Sequence, residues 1–196
     1  FKNFKPDAAI GVGGYSSFPV LKSAQRKGIK TFIHESNSFA GKSNILLGKN
    51  ATEIFVANEG MDKFFPAEKI ILTGNPVRQD IQHVDAKREE AVKFFNLDAA
   101  KKTILVIGGS LGARVINESM GDGLQALADN NIQLVWQTGK TYITTAKQQT
   151  ADFTQKNIFA FDFITRMDLA YAAADLVISR AGASSVSELQ IVNKPC

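Results

Sequence analysis

Three polar constellations in this sequence could do chemistry, and the first two follow short apolar runs. The first is Leu176–Glu188, LVISRAGASSVSE. Leu176, Val177 and Ile178 read as a buried parallel strand, and Ser179 to Gly182 as a tight turn carrying the cation of Arg180. Ala183 to Val192 read as a helix with Val186, Leu189 and Val192 on one face. A strand that feeds a small-residue loop and then a helix leaves free backbone N–H groups pointing at one spot, which attracts phosphate or another anion. Glu188 lies one turn into that helix. Ser185 and Glu188 also have the S-x-x-E spacing of a capping box, so Glu188 has a second reading in which it only satisfies the helix N-terminus.

The second constellation is His34-Glu35-Ser36-Asn37, at the C-terminal end of a strand, where open α/β sheets bind ligands. A histidine, a carboxylate and an amide in four residues could orient a hydroxyl acceptor or take its proton. The same residues also suit a hydrogen-bonded turn. The third is Arg78, after Asn75-Pro76-Val77, either a ligand contact or a solvated linker arginine. Glycine loops follow two strands, at Gly11–Ser16 and Gly108–Ala113. Neither is specific. A nicotinamide site needs an acidic residue at the end of the next strand. After Gly112 that strand ends at Trp136-Gln137, and no carboxylate follows until Asp152. There is no G-x-x-x-x-G-K-[ST] for P-loop phosphoryl transfer, and two histidines and one cysteine give no zinc spacing.

The elements that must position these groups alternate. Strands are expected at Ala8–Val12, Thr31–His34, Glu53–Ala57, Lys69–Thr73, Thr103–Ile107, Ile132–Gln137 and Asn157–Phe161, with helices between most of them, the βαβ signature of an α/β protein. Gly74, Asn75 and Pro76 break the pattern. The polar segment 78–86 reads as a linker between a first wound sheet in 1–77 and a second in 87–196. The chain starts at Phe1 and stops at Pro195-Cys196, where a further strand would follow, and so reads as a piece of a longer protein. Cys196 alone excludes an internal disulfide, and no apolar run approaches a membrane span. A net charge of +4 is too small to argue for nucleic acid and is compatible with an anionic lipid surface.

Seven motifs in order carry a resemblance: GVGGYSSFP at Gly11–Pro19, HESNSFAGKSN at His34–Asn44, GNPVR at Gly74–Arg78, GGSLGARVIN at Gly108–Asn117, QTGK at Gln137–Lys140, FI at Phe163-Ile164 and SRAGASSVSEL at Ser179–Leu189. Together they resemble the MurG family of bacterial N-acetylglucosaminyltransferases, which move N-acetylglucosamine from UDP-GlcNAc onto lipid I to make lipid II. The resemblance implies a GT-B fold of two Rossmann-like parallel-sheet domains, both truncated here. Residues 1–77 would be the C-terminal part of the acceptor-side domain, and 87–196 the N-terminal part of the UDP-GlcNAc-binding domain. It implies an inverting transfer without metal or other cofactor. By carry-over, Ile164 would hold the uracil through its backbone and Glu188 the ribose hydroxyls. Ser110 and the amides of Ala183, Ser184, Ser185, Val186 and Ser187 would lie at the diphosphate. Asn37 and Arg78 match substrate-contacting positions, with His34 and Glu35 in support.

The family's proposed catalytic histidine would precede Phe1 and its sugar-gripping glutamine pair would follow Cys196, so no catalytic residue is assigned and this piece alone is expected to be inactive. The partners implied are UDP-GlcNAc, lipid I, an anionic membrane surface and other cell-wall synthesis proteins, with no nucleic acid. The place implied is the cytoplasmic face of the bacterial plasma membrane, as a peripheral protein of peptidoglycan synthesis, cell shape and division. The alternatives are another GT-B nucleotide-sugar enzyme, such as a glycolipid glycosyltransferase or UDP-GlcNAc 2-epimerase, or a nucleotide-binding fragment without activity of its own.

Overall fold

Parallel strands alternate with helices along the whole chain. The computed structural model describes residues 3–109 and 111–196, and the chain divides into two compact units, Phe1–Pro76 and Val77–Cys196.

The first unit holds β1 (Ala8–Gly11), α1 (Ser17–Arg26), β2 (Lys30–Glu35), α2 (Lys42–Gly48), β3 (Glu53–Val56) and β4 (Ile70–Leu72). The strands pair in parallel in the order β1-β2-β3-β4, with Gly11 opposite Ile33 and Ile33 opposite Ile54. Ile33, Ile54 and Val56 from the sheet meet Leu21 of α1 and Leu47 of α2 in one buried core, which Met61 and Phe65 close. Each such side chain contributes about 1.5–3 kcal/mol by leaving water.

The second unit holds α3 (Arg88–Phe94), β5 (Thr103–Ile107), α4 (Arg114–Asp129), β6 (Gln133–Gln137), α5 (Ile143–Thr150), β7 (Ile158–Phe161), α6 (Met167–Ala173), β8 (Leu176–Ser179) and α7 (Ala183–Val192). Its parallel sheet runs β7-β6-β5-β8. Successive strand residues point to opposite faces. Leu105, Ile107 and Val135 therefore face one core with Leu169, Tyr171 and Leu189, while Val106, Leu134 and Trp136 face another with Leu124 of α4 and Ala146 of α5. Coverage on both faces explains why these strands are apolar throughout instead of alternating. The chain lays down β5, β6 and β7 outward, then returns to place β8 on the far side of β5. That reversal is a topological switch point, and in open α/β sheets the ligand crevice lies outside the strand C-termini there.

The segment 78–86, expected to be a polar linker, is packed structure of the second unit. Short 3-10 turns form at Gln79–Ile81 and Val84–Lys87, and Ile81 and Val84 are buried in the core beside α6. Lys87 Nζ donates to the buried Asp168 at 2.8 Å and Arg88 donates to Asp175 at 3.1 Å and to the Ala173 carbonyl at the end of α6 at 2.9 Å. Two apolar residues spaced by two polar ones, followed by two basic residues with buried acceptors, anchor a stretch whose composition reads as linker. On α7, Leu189 and Val192 are buried as expected, whereas Val186 is exposed.

Candidate functional site

The loops after β5 and β6 are braced by the protein's own groups. Gly112 and Gly139 both take positive φ, and a Cβ on Gly112 would overlap the Thr138 carbonyl. The glycines let the loop after β5 lie directly against the loop after β6. Asn117 of α4 locks that contact. Its amide donates to the Thr138 carbonyl at 2.9 Å, and its carbonyl accepts from Trp136 Nε1 at 3.1 Å. All three residues are buried, so the Trp136 N–H and the Thr138 carbonyl both depend on Asn117 for a partner. Ser110 lies outside the described residues.

Beside the C-terminal ends of β5 and β6 and the first turns of α7 is a crevice of about 550 Å³, open solvent included, lined by Arg78, Ile164, Tyr171, Ser184, Ser185 and Glu188 among others. Gly108 and Gly109 face Arg180, Gly182, Ser184 and Ser185 across an adjoining hollow. The N-cap of α7 is Gly182, in extended backbone, and its own N–H turns back to the Arg180 carbonyl. Val186 N–H is the first to bond inside the helix, to the Gly182 carbonyl at 2.9 Å. The amides of Ala183, Ser184 and Ser185 thus have no intrahelical acceptor and concentrate partial positive charge beside Arg180. Of the five residues whose amides are expected at the diphosphate, Val186 spends its N–H within the helix, on the Gly182 carbonyl, and the Ser187 hydroxyl donates to the Ala183 carbonyl at 3.0 Å.

Glu188 is not a cap. The helix begins at Ala183, two residues before Ser185, and no side chain caps it. Instead, Glu188 Oε2 accepts the Tyr171 hydroxyl at 2.9 Å and Oε1 lies 3.6 Å from Arg78 Nε. Burial and the neighbouring carboxylate push the Tyr171 phenol well above its ordinary pKa of 10.0. Arg78, read from sequence as either ligand contact or linker arginine, is a crevice residue whose side chain is 43% exposed, against 17% for Glu188.

Ile164 is buried, and its N–H already donates to Gln137 Oε1 at 2.8 Å. The Gln137 amide nitrogen donates in turn to the Gly109 carbonyl at 3.3 Å. Ile164 can therefore offer a ligand its carbonyl as an acceptor, whereas its amide is occupied. Sequence reasoning missed Tyr171 and Gln137. Gln137 stood inside the QTGK motif and was visible there, while Tyr171 gave no signal among the alanines of α6.

The His34–Asn37 loop belongs to the first unit. Glu35 is buried and accepts four N–H groups: from the Asn37 backbone and side chain, both at 3.1 Å, the Gly41 backbone at 3.0 Å and the Asn44 side chain at 2.8 Å. Burial opposes its ionisation, but the bonds from Gly41, Asn37 and Asn44 outweigh it and hold the pKa below the usual 4.5. A carboxylate so engaged organises its loop and is a poor proton acceptor. His34 Nε2 donates to the Gly74 carbonyl at 3.1 Å, and Nδ1 lies 3.2 Å from the Ser36 hydroxyl. Asn75 donates to the Ser36 carbonyl at 3.2 Å. Asn37 is exposed, with its amide nitrogen held by Glu35. Among the described residues no group of three or more His, Cys, Asp and Glu side chains is placed to hold a metal ion, and no helix is long and apolar enough to cross a membrane.

Comparison with known proteins agrees with this organisation. Residues 1–56 match the glycosyltransferase family 28 N-terminal domain and residues 103–196 the glycosyltransferase family 28 C-terminal domain. The chain is 54% identical, over 99% of its length, to the UDP-N-acetylglucosamine–N-acetylmuramyl-(pentapeptide) pyrophosphoryl-undecaprenol N-acetylglucosamine transferase of Parabacteroides distasonis, and equally to that of Flavobacterium psychrophilum. It spans about half the length of these relatives, 53% and 52%. The crystal structure of Acinetobacter baumannii MurG superposes with a TM-score of 0.66 at 31% identity, over 97% of this chain and 51% of that one. The UDP-GlcNAc 2-epimerase of Neisseria meningitidis shares the fold, with a TM-score of 0.57 at 15% identity over 92% of this chain and 56% of that one. With two parallel sheets of GT-B type and both domain signatures in order, the chain belongs to glycosyltransferase family 28.

Proposed function

We propose that the full-length protein binds UDP-GlcNAc in the crevice of the second unit and transfers its N-acetylglucosamine, with inversion, to the 4-hydroxyl of MurNAc in lipid I, giving lipid II. The observation that carries this reading is the convergence of Arg78, Ile164, Ser184, Ser185 and Glu188 on one crevice at the switch point of a family 28 domain. In this reading the uracil N3–H donates to the Ile164 carbonyl, and Gln137 holds that backbone in place. The ribose hydroxyls donate to Glu188. The diphosphate meets the open amides of Ala183, Ser184 and Ser185, beside Arg180.

When the acceptor oxygen attacks the anomeric carbon, the bond from that carbon to the diphosphate breaks and negative charge collects on the leaving group. A helix N-terminus already aimed at it stabilises that charge without reorganising. The proton of the acceptor hydroxyl goes to a base that these residues do not supply, since Glu35 has its acceptor capacity filled within the first unit. Asn37, exposed beside Glu35, is proposed to contact substrate from the first unit, with Glu35 fixing its amide.

We place the protein at the cytoplasmic face of the bacterial plasma membrane as a peripheral protein. Support comes from the exposed apolar side chains of Val12, Tyr15 and Phe39 on the loops after β1 and β2, and from the net positive charge. Incubating the full-length protein with UDP-GlcNAc and lipid I tests the function. The reading requires lipid II and UDP in equal amounts, with no consumption of UDP-GlcNAc when lipid I is omitted. Conversion of UDP-GlcNAc to its 2-epimer without an acceptor would assign an epimerase. Binding without any turnover would assign a nucleotide-binding module.

A further inference from the structure

We propose that Tyr171 is a positioning residue for nucleotide recognition, its buried phenol pinning the carboxylate of Glu188 so that the second carboxylate oxygen is presented to the diol of a ribose. This rests on reading the crevice as a UDP site.

Tyr171 is 0% exposed on α6, between Leu169, Ala170, Ala172 and Ala173, all fully buried. A buried phenol needs a partner for its O–H, and the one it has is Glu188 Oε2, at 2.9 Å. The raised pKa of the phenol keeps it protonated, hence a donor, across the physiological range. The other oxygen is held differently. Oε1 faces Arg78 Nε at 3.6 Å, well beyond the ~2.7–2.9 Å of a charge-assisted hydrogen bond, and the Arg78 side chain is 43% exposed. One carboxylate oxygen is thus fixed by a rigid, buried donor from the neighbouring helix, and the other by a loose, solvated cation that a ligand hydroxyl can join or displace. Without Tyr171 the carboxylate could rotate about its last bond, and its oxygens would no longer be held toward two vicinal hydroxyls.

Tyr171→Phe removes one oxygen and keeps the ring, so it separates donation from packing. The experiment is calorimetry on the full-length protein, comparing UDP with 2′,3′-dideoxy-UDP in wild type, Tyr171→Phe, Glu188→Gln and the double variant, with melting temperatures alongside. Wild type is expected to prefer UDP by roughly 10- to 100-fold. Tyr171→Phe should lower that preference at least about fivefold while leaving dideoxy-UDP affinity within about twofold. In the Glu188→Gln background the same change should alter the preference by no more than about twofold, because residues that act through one another are not additive. An intact preference in Tyr171→Phe overturns the proposal, and so does equal weakening of both ligands, which would mean that the phenol supports only the shape of the pocket. Wild type that binds both ligands alike removes the ribose role of Glu188 and this proposal with it. Wild type that binds neither removes the UDP reading itself. Should Tyr171→Phe melt below the assay temperature, a more acidic fluorinated tyrosine at 171 serves instead. Raising the pH through its titration removes the donor and must abolish the preference, whereas a packing role leaves the preference flat.

Discussion

Glu35 and Glu188 are both carboxylates at the C-terminal side of a parallel sheet, each in a motif shared with a glycosyltransferase family, and they are held in opposite ways. Glu35 accepts four N–H donors from its own loop and from α2. Glu188 accepts one hydroxyl and faces a cation at 3.6 Å, on the wall of an open crevice. The sheets beneath them differ in the same sense. The first runs in consecutive order, while the second reverses at β5 and opens a crevice where it does so. A carboxylate whose lone pairs are already filled shapes the fold, and one whose lone pairs are partly free at a switch point is available to a ligand. Residue type and motif do not separate the two roles. The count of committed donors does.

The largest expected effect lies on the Glu35 side. Glu35→Gln keeps one acceptor oxygen and turns an NH2 group toward donors, and it should destabilise the first unit by about 2–4 kcal/mol. Hydrogen exchange in peptides covering residues 34–48 should accelerate strongly, with the peptides of β8 and α7 unchanged. Loss of turnover with unaltered exchange would move Glu35 into the chemistry and break the contrast.

Asn117→Ala is next, at about 2–3 kcal/mol, because it strands the Trp136 N–H and the Thr138 carbonyl inside the protein. The result should also show as weaker UDP binding, since the glycine loop loses its brace. Thermal unfolding with and without UDP checks both parts.

Asp168 gives the pH dependence. Arg166 donates twice to it, both at 2.9 Å, and Lys87 once at 2.8 Å, and these partners hold its carboxyl well below the ordinary 3.8. Its folded value lies under its unfolded value, so its stabilisation is fully present above about pH 4 and drains away as pH falls below that. Asp168→Asn should cost about 1–3 kcal/mol at neutral pH. The gap from wild type should shrink as pH drops below 3.8. A gap that stayed constant with pH would remove the ion pairs as its cause.

Ser185→Ala should have the smallest effect, under about 0.5 kcal/mol on stability, because Ser185 caps nothing. A true capping serine would cost about 1 kcal/mol. Denaturant melts of the two proteins decide between these values.

These contrasts mark what the sequence makes legible. Strand and helix alternation, the two sheets and the strand–turn–helix at Leu176–Val192 follow from apolar runs and glycine placement. The S-x-x-E spacing misled because a capping box needs its serine at the helix boundary, and the helix starts two residues earlier, at Ala183 behind Gly182. The polar look of 78–86 hid Ile81 and Val84, whose burial depends on α6, some 85 residues later in sequence. Tyr171 was invisible for a related reason: its partner is 17 positions away on another helix, and no local pattern pairs them. Ile164 was found through its motif, but that its amide is already taken by Gln137 only the fold could show.

The central claim, that Glu188 serves a ligand while Glu35 serves the fold, is tested most directly by calorimetry of UDP and 2′,3′-dideoxy-UDP on full-length wild type and Glu188→Gln. The account predicts that Glu188→Gln loses roughly 5- to 100-fold of UDP affinity, little of dideoxy-UDP affinity, and almost nothing in melting temperature. Equal preference for UDP in both proteins would contradict it and leave Glu188, like Glu35, a structural residue.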